Sequence, residues 1–170
     1  MELLPALRVL ELETSSVTVD YGSLRGCRAL QKLRVHVSAD LLFFTQEQLQ
    51  RLQHALNSSI ATLSELTSLT CLHLQTPRCD LRPLLKMVHL ETLWVSEATV
   101  CTSSCWPPPL PRLRELVVER KLFMAWPIPL APAFQPAFTA FTVAMRQSQP
   151  SLIGDPIVCD FHQASLPILL

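Results

Sequence analysis

The sequence predicts an α/β fold in which short parallel strands lie side by side in one sheet, with helices and loops packed behind it. Three observations point there. Residues 66–76, LTSLTCLHLQT, space Leu66, Leu69, Leu72 and Leu74 at steps of three, three and two. A helix keeps steps of three and four and a strand keeps steps of two, so this change of step marks an arc of chain feeding a short strand. The second observation is recurrence: four other stretches carry the same steps. The third is a change of composition after Lys121, where the template stops and charge nearly disappears.

Taken in order, the first copy is LPALRVLELET at 4–14, with Leu4, Leu7, Leu10 and Leu12. The second is CRALQKLRVHV at 27–37, with Cys27, Leu30, Leu33 and Val35. Residues 66–76 are the third. MVHLETLWVSE at 87–97 is the fourth, with Met87, Leu90, Leu93 and Val95, and LPRLRELVVER at 110–120 is the fifth, with Leu110, Leu113, Leu116 and Val118. A unit this small cannot bury its apolar face alone, so neighbouring copies must stack. Residues two apart on each strand then point into a shared core, and the strands form one parallel sheet.

The third template positions, at 10, 33, 72, 93 and 116, are separated by 23, 39, 21 and 23 residues. Three of these intervals match the ~20–29-residue period of leucine-rich repeats. Over residues 3–121 the chain resembles a leucine-rich-repeat protein. The resemblance implies a short, irregular solenoid of about five repeats spanning 1–121, with its parallel sheet on a concave face and helices and loops on the convex face. It departs from the family at the turn after each strand. The family's asparagine or cysteine is replaced there by Ser15, Ser38, Pro77, Ala98 and Lys121, so no asparagine ladder is expected.

Between copies the chain must climb over the convex side. Val17, Val19 and Leu24 in VTVDYGSLRG are expected to pack there, and so are Leu81, Leu84 and Leu85 of CDLRPLLKM on one side of a short helix capped by Asp80. The long interval holds an expected helical insert at 43–66. Thr45 and Gln48 read as a capping box, and Leu49, Leu52, Leu56, Ile60 and Leu63 form an apolar stripe. The sequon Asn57-Ser58-Ser59 falls inside this helix and matters only in a secreted chain.

Residues 122–170 are expected to be a Pro/Phe/Ala-rich, low-order tail, since Arg146, Asp155 and Asp160 are the only charged residues in it. WPIPLAPAFQPAFTAFTVAM at 126–145 is apolar, but prolines 127, 129, 132 and 136 interrupt it, which argues against a membrane span. The first template starts without a polar cap, and no capping repeat follows the fifth. A truncated fragment or gene-model product without independent function is therefore the alternative to an interaction module.

Lys and Arg total 14 and so do Asp and Glu, a balance that calls for neither nucleic acid nor an anionic membrane as partner. The first residues lack the basic segment of a secretory signal, and the six cysteines are expected to be reduced thiols in a cytoplasmic protein. Catalytic signals are sparse. Cys71 and His73 share a strand face but stand roughly 6–7 Å apart by strand rise, too far for a nucleophile and its base, so no enzyme is expected. Cys101 and Cys105 in CTSSC lack a second cysteine pair, with Cys79 and His89 only loosely placed, so neither metal nor cofactor is expected. The glycines number three, too few for a phosphate-cradling loop.

The alternation leaves a surface. Val9, Glu11 and Glu13, then Lys32, Arg34 and His36, then Cys71, His73 and Gln75 face the concave side. Thr92, Trp94 and Ser96, then Glu115, Val117 and Glu119 complete the face. Trp94, His73, Arg34, Gln75, Glu11 and Glu115 are the candidate binding residues, for an unknown protein partner and not for a small-molecule substrate. Leucine-rich repeats of this kind serve as recognition domains in F-box ubiquitin-ligase receptors and intracellular immune receptors, so the resemblance implies protein recognition, within a larger receptor or adaptor.

Overall fold

The computed structural model describes residues 6–14, 21–37, 45–76, 79–96, 106–107, 109–121 and 131–161. Within them lies an α/β arrangement around a six-stranded parallel sheet. The strands are β1 (Val9–Thr14), β2 (Lys32–Val37), β3 (Cys71–Gln75), β4 (Thr92–Ser96), β5 (Glu115–Lys121) and β6 (Ile157–Phe161), in sequential order across the sheet. Two α-helices, α1 (Gln46–Leu63) and α2 (Ala131–Ser148), and two 3₁₀ turns, Tyr21–Gly26 and Arg82–Lys86, connect them.

The change of step in each template now has a local cause. In copies two to five the N–H of the second template residue bonds to the carbonyl of the first, from Leu30 to Cys27 (3.0 Å), Leu69 to Leu66 (3.2 Å), Leu90 to Met87 (3.1 Å) and Leu113 to Leu110 (3.2 Å). This tight turn aims the chain into the strand. One carbonyl per turn then accepts two N–H groups from the next copy. Arg8 takes Gln31 and Lys32, Gln31 takes Thr70 and Cys71, Thr70 takes Glu91 and Thr92, and Glu91 takes Arg114 and Glu115. The shared ladder fixes the register, so Leu12, Val35, Leu74, Val95 and Val118 line up across five strands.

The template residues of copies two to five, from Cys27 to Val118, are all buried and belong to one core. Leu7, Leu10 and Leu12 at the β1 end are only partly buried against it. Each of the fully buried leucines contributes about 1.5–3 kcal/mol of burial free energy.

Behind the sheet, α1 packs against both 3₁₀ turns. Its capping box forms as expected. Thr45 N–H donates to Gln48 Oε1 at 2.7 Å, and Gln48 N–H donates to Thr45 Oγ1 at 3.3 Å. Leu52, Leu56, Ile60 and Leu63 bury the expected stripe, and the side chain of Leu49 lies outside the described residues. Asn57 of the sequon accepts the N–H of Asp80 at 2.9 Å, tying α1 to the following turn. The expected short helix is a 3₁₀ turn. Leu81, not Asp80, is its N-cap, while Asp80 accepts the N–H of Arg82 from one residue earlier. Leu81 and Leu84 are buried but Leu85 is 60% exposed, because three residues per turn separate Leu85 from that face. Val17, Val19, Ser15, Ser38, Pro77, Ala98, Cys101 and Cys105 lie outside the described residues.

The expectation of a low-order tail needs correction. Residues 131–148 form α2 and residues 157–161 form β6, which pairs with β5. The sheet therefore continues past the boundary drawn after Lys121. α2 buries Phe141 and Met145, with Phe138 partly buried beside them, and the Trp106 ring meets Phe141 edge-on at 5.3 Å. Pro136 sits inside the helix and forgoes one backbone bond, which the buried aromatic face offsets. The turn into β6 repeats the earlier geometry, with Leu152 N–H bonding to Gln149 O at 3.1 Å.

That sixth copy is disguised twice. Gln149 replaces the first template leucine, and its buried amide oxygen accepts Leu110 N–H at 2.7 Å. One extra residue then separates Leu152 from the strand, and Gly154 absorbs it at a φ of 83°, where a side chain would be strained. Ser151 Oγ donates to Leu110 O and Leu113 O, as Ser68 Oγ does to Leu30 O three copies earlier.

Candidate functional site

The parallel register converts the alternating residues into rows on the sheet face opposite the core. Across the middle run Glu11, Arg34, His73, Trp94, Val117 and Ile157. One row lower, on the side where the strands begin, are Val9, Lys32, Cys71, Thr92 and Glu115. Toward the strand ends, Glu13, His36 and Gln75 are neighbours, as are Ser96 and Glu119. All six candidate residues thus share one face, and four of them, Glu11, Arg34, His73 and Trp94, share one row.

Exposure divides that face. On β1, Glu11 and Glu13 are exposed, and on β2 Lys32 is exposed with Arg34 and His36 half-buried. Opposite signs therefore meet across β1 and β2, and Glu13 Oε1 lies 3.6 Å from His36 Nδ1. On β3 to β5 the face closes. Gln75, Val117 and Glu119 are buried, while Trp94 and Glu115 are half-buried. The expectation that Gln75, Val117 and Glu119 face solvent is corrected accordingly. Alternation sets the side of the sheet and leaves open how deeply that side is covered.

The centre of the closed half is a pairing across three strands. His73 Nε2 reaches over β4 to within 2.8 Å of Glu119 Oε2, with the Glu119 side chain 0% exposed. The approach is close but not in line, so among the described residues neither carboxylate oxygen receives a hydrogen bond. The imidazole also leans on the Trp94 indole, with ring centroids 5.2 Å apart and planes 43° apart. A carboxylate, an imidazole and an indole form one cluster, held by three different strands. Glu119 was absent from the candidate set because its partner is two strands away and no local spacing announces it.

Cys71 sits at the lower margin. Burial pushes its thiol above the ordinary value, Lys32 pulls it down, and Glu115 pushes it up again. A thiol shifted upward is a weaker nucleophile at neutral pH. Thr92 Oγ1 lies 3.4 Å from Glu115 Oε2, closing that row with a side-chain contact. Cys27 and Cys71 are free thiols, Cys79 Sγ accepts from Thr76 Oγ1 at 3.5 Å, and among the described residues no cluster of three metal-ligating side chains occurs. No helix among the described residues is long and apolar enough to cross a membrane. No family model, curated protein or solved structure matches the chain.

Proposed function

We propose that this chain is a protein-interaction module of the leucine-rich-repeat type, an irregular solenoid that recognises a partner protein through the front of its sheet. The observation that carries this reading is the middle row. The strand register sets an acid, a guanidinium, an imidazole and an indole side by side on a rigid support. Such a row suits recognition because a sheet holds each side chain in place before the partner arrives, which lowers the entropy lost on binding. Trp94 is the anchor, and Arg34 and Glu11 supply the charged rim around it. The partner is a protein surface presenting an acidic residue beside an apolar one, met by Arg34 and Trp94. We place the module in the cytoplasm, as the recognition part of a larger receptor or ubiquitin-ligase adaptor, with no catalytic step of its own.

The test compares binding with stability. A partner captured by the intact chain is titrated against Trp94→Ala and Arg34→Glu, with thermal melting recorded alongside. Trp94→Ala is expected to weaken binding by about 2 kcal/mol. Arg34→Glu is expected chiefly to slow association, with the effect shrinking at high salt. Unchanged affinity of the folded fraction in both variants removes the row as a binding site.

A further inference from the structure

The Trp94 indole is bounded on two sides by neighbours in its own row. Val117 on β5 is buried beside it, and His73 on β3 leans on it with ring centroids 5.2 Å apart. His73 starts in the row of Trp94, but the carboxylate it meets belongs to Glu119, in the row of Ser96. The register therefore requires the imidazole to cross β4 from one row to the next, on the strand-end side of the indole. Side chains on a strand lean along it in either of two common rotamers. An imidazole held in that place removes one direction in which the indole can swing.

Glu119 is what holds it. The Glu119 side chain is 0% exposed, its Oε2 lies 2.8 Å from His73 Nε2, and among the described residues both carboxylate oxygens lack a hydrogen bond. The imidazole is thus the polar group that faces this carboxylate, and little water stands near to screen the attraction. A buried pair of this kind adds little net stability, since lost hydration offsets the attraction. What it fixes is geometry. We infer that Glu119 is a positioning residue for Trp94, acting through His73: the carboxylate latches the imidazole across β4, and the latched ring holds the indole in one pose. Its use in binding rests on the reading of Trp94 as the anchor, whereas the latch belongs to the free chain. An anchor already in its bound pose loses less rotamer freedom when the partner arrives.

The experiment is fluorine NMR on the full chain carrying fluorinated tryptophan. The chain has three tryptophans, Trp94, Trp106 and Trp126, and Trp94→Phe identifies the Trp94 resonance. A single narrow Trp94 resonance is expected in the parent. Glu119→Gln keeps the size of the side chain and weakens the pull on the imidazole, so it should shift and broaden that resonance while leaving that of Trp106 in place. With His73→Phe already present, Glu119→Gln should no longer move it, because the ring through which Glu119 acts has lost its nitrogens. The paired variant His73→Leu with Glu119→Leu should stay folded by circular dichroism and also lose the narrow signal. An unmoved Trp94 resonance in Glu119→Gln overturns the inference, as does one already broad or doubled in the parent. So does a shift of equal size with His73→Phe in place, and so does a matching shift at Trp106, the mark of general repacking. Should Glu119→Gln unfold, the paired variant decides alone: a folded chain with the parent's narrow Trp94 signal overturns the latch. No partner enters the measurement, so loss of the row as a binding site in the titrations above leaves this outcome untouched.

Discussion

The front of the sheet carries two histidine–glutamate pairs, and they live in different solvents. Glu13 and His36 meet on the open half, 3.6 Å apart, with the glutamate side chain 75% exposed. His73 and Glu119 meet on the closed half, 2.8 Å apart, with exposures of 12% and 0%. Water screens the first pair and hydrates each member when the other is absent. The second pair has given up water without gaining an in-line hydrogen bond. Chemically alike residues therefore hold unequal amounts of the protein's stability, and the difference is set by what surrounds them.

The largest expected effect lies in the closed pair. Glu119→Ala strands a buried imidazole and opens a void beside it, and should cost about 3 kcal/mol in chemical denaturation. Glu13→Ala should stay within about 0.5 kcal/mol of the parent chain. Replacing both members, His73→Leu with Glu119→Leu, should recover most of the loss, because a well-packed apolar pair needs no compensation for lost water. Equal small losses for the two alanine variants would erase the distinction between the halves.

The sixth copy sharpens the same point on the core side. Gln149 is a buried polar group that does have its partner, the N–H of Leu110. Gln149→Leu restores the template residue yet leaves that N–H unsatisfied, and should destabilise by about 1–2 kcal/mol. If the variant is instead more stable than the parent, burial of the leucine outweighs the lost bond.

Behind the sheet, burial can be read through titration. Tyr21 is the chain's only tyrosine, and burial first, with Cys79 second, pushes its hydroxyl from 10.0 up to about 12. Its folded value exceeds its unfolded value, so between these limits the unfolded chain binds fewer protons. Stability from this group is intact below pH 10.0 and is lost as pH rises toward about 12. Tyrosinate absorbance should appear together with unfolding, and Tyr21→Phe should remove that part of the alkaline loss. Tyrosinate forming in the still-folded chain near its ordinary value would contradict the burial.

The smallest effect belongs to a half-buried carboxylate paired with an exposed arginine. The Arg82 guanidinium beside Asp80 holds its carboxyl below the usual 3.8. The stabilisation is present above that value and fades as pH falls through the lower, folded one. Asp80→Asn should remove a fraction of a kcal/mol at neutral pH, and the variant and parent should converge in acid melts. A difference that persists in acid would point to the Arg82 N–H bond and not to the charge.

Much of this fold was legible in the residues. Steps of three, three and two mark five turn-and-strand units, and a period of two assigns Leu72 to the core side and Trp94 to the front. Both signals are local, because backbone geometry dictates where neighbouring side chains point. The sixth strand was hidden by Gln149 and by the extra residue at Gly154, although Phe138, Phe141 and Met145 already sit at helical spacing before it. Three outcomes were settled only by tertiary structure. Glu119 meets His73 across β4, Gln75 and Val117 lose their water, and β6 extends the sheet beyond β5. Alternation along a strand chooses a face, but the dielectric at that face is made by atoms from other strands.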